Sequence, residues 1–86
     1  MKNYRDNYYI VSYVRKARKA CGYSQTQLAE LCGTTQNTIS NIEKGVYLPS
    51  IFLALLIADA CMCSIEDLYY IRPKTCSAAI NENIFC

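Results

Sequence analysis

The run from Ser24 to Gly45, SQTQLAELCGTTQNTISNIEKG, constrains the fold more than any other part of this 86-residue chain. It reads as two short helices around a sharp turn. Ser24 with Gln27 is a capping box, in which a hydroxyl and an amide satisfy orphan backbone donors at a helix start. Leu28, Ala29, Leu31 and Cys32 give that first helix its apolar face. Gly33 offers the left-handed conformation that stops it. Thr35 is the natural N-cap of the next helix, three residues before Thr38. Gly45 and the Leu48-Pro49 step end the second helix.

That second helix carries an unusual outer face. At about 100° per residue, Ile39 and Ile42 share an inward stripe, and Asn37, Asn41 and Lys44 point away from it. Ser40 lies on the flank and Gln36 at the exposed start. A solvated face would more often carry Glu and Lys. Amide side chains both donate and accept, so they can grip the N6/N7 edge of adenine in the major groove. A turn of about three residues allows the near-perpendicular crossing of a helix-turn-helix, whose second helix enters that groove. The pattern alone also admits a plain helical hairpin inside a small bundle.

The other segments read as scaffold for an all-α domain. A first helix is expected over Tyr9 to Cys21, with Val11, Val14, Ala17 and Cys21 spaced for burial. Ser50 caps a fourth helix that is apolar almost all round from Phe52 to Ala60 and must be covered by the other helices or by a partner chain. Ser64 with Asp67 caps a fifth, in which Ile65, Leu68 and Tyr69 face the core, and Pro73 ends it. The expected organisation is a DNA-binding domain over residues 1–72 and a short C-terminal tail over residues 73–86.

At this length there is room for one core. The longest apolar run, Ile51 to Ala58, is eight residues, whereas a membrane span takes about 20. No hydrophobic signal-peptide core follows the charges of MKNYRDNYY, so a cytoplasmic location is expected. The net charge of +2 is uneven: residues 1–24 balance at +5 and the remainder at −3. Arg15, Lys16 and Lys19 either contact phosphates, which position a protein without encoding sequence, or form the solvated face of the first helix. There is no histidine and no glycine-rich phosphate loop, so no enzyme, cofactor, metal or small-molecule substrate is indicated.

The chain resembles the Cro/C1-type (XRE) helix-turn-helix family of phage repressors and bacterial regulators. Arg18, Gly22, SQTQLAE at 24–30, Gly33, TIS at 38–40, IEKG at 42–45, Pro49-Ser50, Ser64 and Asp67-Leu68 carry the resemblance. GTTQNTISNIEKG looks particularly like the turn and recognition helix of lambdoid phage repressors. The resemblance implies a compact five-helix bundle of the lambda-repressor type. It implies that Gln25 touches the DNA backbone, that Gln36, Asn37 and Asn41 face bases, and that Arg18 and Glu43 form an internal ion pair. With the residues around them, the candidate DNA-binding set is Gln25, Thr35, Gln36, Asn37, Ser40, Asn41 and Lys44.

Cys32, Cys61 and Cys63 fall where the family packs small or branched apolar residues, so these thiols are expected to behave as small hydrophobes. Cys76 and Cys86, in the tail, leave a redox or metal role open. The expected function is sequence-specific binding of double-stranded DNA, as a repressor from a prophage or mobile element. A homodimer on a palindromic operator is expected, with Leu68 to Ile71 and the tail residues Ile80, Ile84 and Phe85 as the candidate dimer patch. An antitoxin or restriction-control regulator of the same fold remains an alternative. So do a protein-interaction module that has lost DNA binding and a thiol-based metal or redox sensor.

Overall fold

Tyr8, Tyr9, Ile10 and Val11 are aromatic and β-branched, the residue types that suit a pleated surface, and they form a strand. The computed structural model describes residues 4–74. A 3-10 turn over Tyr4–Asn7 leads into strand β1, Tyr8–Ser12. Five α-helices follow: α1 Val14–Ala20, α2 Gln25–Cys32, α3 Gln36–Glu43, α4 Ile51–Ala60 and α5 Ile65–Leu68. Strand β2, Tyr69–Pro73, then pairs antiparallel with β1, from Tyr8 opposite Pro73 to Ser12 opposite Tyr69.

The fold is therefore helix-rich but not all-α. The first helix begins at Val14, five residues after the expected start at Tyr9. Its N-cap, Tyr13, makes no side-chain cap bond. Ser12 Oγ accepts from Val14 N–H at 3.4 Å, and Tyr8–Ser12 pairs as a strand instead. The fifth helix is a single turn that stops at Leu68. The residues expected to extend it, Tyr69 to Ile71, complete the ribbon.

Two flanking bonds set the phase of that ribbon. Tyr13 N–H donates to the Leu68 carbonyl at 2.7 Å, and Lys74 N–H donates to the Asn7 carbonyl at 2.8 Å. Alternation then makes Tyr9/Arg72 and Val11/Tyr70 the hydrogen-bonded pairs, and Tyr8/Pro73 a non-bonded one. Pro73 has no N–H to give, and it sits where the ladder asks for none.

The local signals of the central helices act as read. Ser24 Oγ accepts from Gln27 N–H at 3.0 Å while Gln27 Oε1 accepts from Ser24 N–H at 2.8 Å. Gly33 closes α2 with φ +70°. Ser50 Oγ accepts from Leu53 N–H at 3.1 Å, and Asp67 Oδ2 accepts from Ser64 N–H at 3.1 Å.

The core gathers Val14, Leu28, Ala29, Ile39, Ile42, Ile57, Ala58 and Leu68 with the thiols of Cys32 and Cys61. Leu68 is fully buried in its own domain, so it is unavailable to the expected dimer patch. Helix α4 buries Ala54, Ile57 and Ala58 but leaves Ile51, Phe52 and Leu55 exposed. Among the described residues no helix is long and apolar enough to cross a membrane. Ile80, Ile84, Phe85, Cys76 and Cys86 lie outside the described residues.

Candidate nucleic-acid interface

Ile39 and Ile42 are buried to within 1% and pin one side of α3 to the core. Helical geometry then turns the opposite side outward. Thr35, Gln36, Asn37 and Lys44 are exposed, while Ser40, Asn41 and Gln25 are half-buried. Thr35 Oγ1 accepts from Thr38 N–H at 3.2 Å and shares a 2.9 Å hydrogen bond with the Thr38 hydroxyl. It fixes the start of the helix, immediately before Gln36.

At the other end, the Asn41 carbonyl accepts from Val46 N–H at 3.0 Å and Tyr47 N–H at 3.2 Å. Gly45, at φ +79°, turns the chain there. The fold thus brings the α3 candidates onto one outward side and adds Gln25 from the first turn of α2.

Beneath that side runs a polar chain through three helices. Arg18 Nε donates to Glu43 Oε2 at 2.6 Å and Nη2 to Glu43 Oε1 at 3.2 Å, while Nη1 donates to the Tyr23 carbonyl at 2.8 Å. The two side chains are 10% and 4% exposed, so the ion pair implied by the family resemblance is a buried, bidentate one. Gln25 Nε2 donates to Glu43 Oε1 at 3.0 Å, and Gln36 Nε2 donates to Gln25 Oε1 at 2.6 Å. The sequence marked Gln25 and Gln36 as separate DNA contacts. Their direct link, and its anchoring on Glu43, depends on how α1, α2 and α3 approach one another. The nearest local signal is that a long amide side chain opens each helix, Gln25 in α2 and Gln36 in α3.

Burial alone would push the Glu43 carboxyl up, but the hydrogen bonds from Arg18 and Gln25 outweigh it, with the charges of Arg18 and Arg15 adding to them. The carboxyl is held below its ordinary range. Arg15 is thus close enough to act on Glu43 electrostatically. Lys16 is turned elsewhere, its Nζ 5.8 Å from the centre of the Tyr13 ring. Tyr13 meets Tyr70 edge to face at 5.4 Å, and their hydroxyls share a 2.8 Å hydrogen bond. Arg72 stacks over Tyr70 at 5.0 Å. No local pattern points to the Tyr13–Tyr70 contact, because these two residues are 57 positions apart and meet only when the strands pair.

A helix-turn-helix family model matches residues 14–68, which spans α1 to α5. The chain belongs to the Cro/C1-type helix-turn-helix family. Over 61 residues, 71% of this chain and 92% of the relative, it is 43% identical to the uncharacterized HTH-type transcriptional regulator YgzD of Bacillus subtilis (strain 168). Two solved helix-turn-helix proteins share its fold. The restriction-modification controller protein C.AhdI from Aeromonas hydrophila superposes with a TM-score of 0.60 at 30% identity, over 63% of this chain and 82% of its own. SinR of Bacillus subtilis, the master regulator for biofilm formation, solved in complex with DNA, superposes with a TM-score of 0.58 at 30% identity. That match covers 62% of this chain and 86% of the SinR chain.

Proposed function

We propose that this helix-turn-helix chain is a transcriptional repressor that binds double-stranded DNA by sequence, with α3 in the major groove. The observation that carries this reading is the outward side of α3. Gln36 and Asn37 are exposed there, opposite the fully buried Ile39 and Ile42. Base edges are read by side chains that donate and accept at once, and these amides do so. Ser40 and Asn41 extend the contact surface, while Gln25, Thr35 and Lys44 meet the phosphate backbone at its margins. The DNA complex of SinR, at 30% identity, supports the same partner here. The likeness of residues 33–45 to lambdoid repressors favours a prophage or mobile-element origin.

One reading helix spans only a few base pairs, and a net charge of +2 adds little sequence-independent affinity. Two copies on a palindrome, with half-site centres about 34–36 Å apart, would double the contacts. Selection of bound duplexes from a random pool, followed by sequencing, tests the proposal. A palindromic consensus is the expected result. A pool no different from the input would overturn it.

The likeness to C.AhdI favours a second reading, control of a restriction-modification system. Recovery of the selected operator beside restriction and methyltransferase genes would establish that role. An operator among phage genes would exclude it.

A further inference from the structure

Glu43 is placed to do more than neutralise Arg18. An ionised carboxylate only accepts hydrogen bonds, so the Gln25 side chain must turn its NH2 toward Glu43, where the donor lies 3.0 Å from Oε1. The Gln25 carbonyl oxygen is thereby committed to the opposite direction. There it accepts from Gln36 Nε2 at 2.6 Å. Gln36 has then spent one N–H, and its carbonyl oxygen and second N–H are left for DNA. Turning the Gln36 amide over would set two carbonyl oxygens against each other. Turning both amides over would set the Gln25 oxygen against the carboxylate.

We propose that Glu43 is a positioning residue for base specificity: through Gln25 it fixes the donor–acceptor polarity of the Gln36 amide, and so selects adenine over guanine at the base pair facing Gln36. Adenine offers a donor at N6 and an acceptor at N7, which match one acceptor and one donor. Guanine offers two acceptors, O6 and N7, and would require Gln36 to present two donors. This inference rests on the reading of α3 as the base-contacting helix.

The test uses the full chain and its Gln25→Met, Glu43→Gln and Gln36→Ala variants, with thermal melts to check folding. Each is taken through selection on random duplexes. The wild type should favour adenine over guanine at one position by about fivefold or more, the low end of one good bidentate contact. Gln25→Met leaves the Arg18–Glu43 pair in place and cuts the relay. It should bring that ratio close to one at that position and leave the other positions unchanged. Glu43→Gln, if it folds, should move the preference toward guanine, because its amide can donate to the Gln25 oxygen and reverse the chain.

A folded Gln25→Met that keeps the adenine ratio, or that loses affinity equally for all duplexes, overturns the relay. If Gln36→Ala still erases the preference, the base-reading role of Gln36 stands without it. If Gln36→Ala leaves every position unchanged, the reading of Gln36 as a base contact fails, and the relay proposal fails with it.

Discussion

Two side chains within the domain carry testable energetics. Arg18 and Glu43 are both desolvated, and removing one partner strands the other's charge at a cost of about 3–5 kcal/mol. Against a total stability of about 5–15 kcal/mol, Glu43→Ala should lower the melting temperature by many degrees, read by circular dichroism. The pH dependence follows from the same carboxyl. Its folded pKa lies below the ordinary value of 4.5, so its contribution is complete above that pH and is lost as pH falls through the folded value. Urea midpoints should therefore drop steeply below pH 4.5, and the drop should shrink in Glu43→Gln. The thiols behave differently. Burial, with neighbouring thiols adding to it, pushes Cys61 up to about 11, and burial also raises Cys32. Because only the thiolate is nucleophilic, a short iodoacetamide pulse at pH 8 should leave both unmodified in the native protein and alkylate both in urea, as read by peptide mass spectrometry. This accords with their place in the core, where the sequence reading put Cys32 and Cys61 as small hydrophobes.

Among the elements, the proposed DNA-reading side of α3 would make contacts of two kinds that mutations should separate. Asn37→Ala should relax preference at one base pair at a cost of about 1–3 kcal/mol. Lys44→Ala should weaken binding to all sequences alike and reduce the salt slope by about one unit. Titrations on operator and scrambled duplexes at several salt concentrations distinguish them. The outward placement of Gln36 and Asn37 was legible because Ile39 and Ile42 fix the helical phase. Helix ends were legible wherever a cap is local, as at Ser24, Thr35 and Ser50. The ribbon was not, because Val11 and Val14 also fit a helical spacing, and the strand partner of Tyr8–Ser12 is remote in sequence. Its phase gives a direct check. Val11 donates into the ladder and Ile10 does not, so Val11→Pro should destabilise more than Ile10→Pro, by about 1 kcal/mol for the lost bond. Paired thermal melts measure the difference.

For the whole molecule, the proposed dimer predicts a stoichiometry. Sedimentation of the chain with its selected duplex should give two chains per palindrome and one per half-site, with affinity for the half-site reduced. The relay from Arg18 to Gln36 was hidden from the sequence for a reason that belongs to this scale. It needs α1, α2 and α3 to meet at one point, and no spacing within any one of them encodes that meeting. The ribbon bears on how the chain assembles. Tyr13 and Tyr70, which meet across it, are 57 residues apart, whereas α2 and α3 are joined by a turn of three residues, Gly33 to Thr35. Distant pairing must absorb the entropy of closing a long loop before any contact rewards it. The helical core should therefore form first and the strands zip together last. In native-state opening the order should reverse, with the strands releasing as a latch while the helices of the core hold their places.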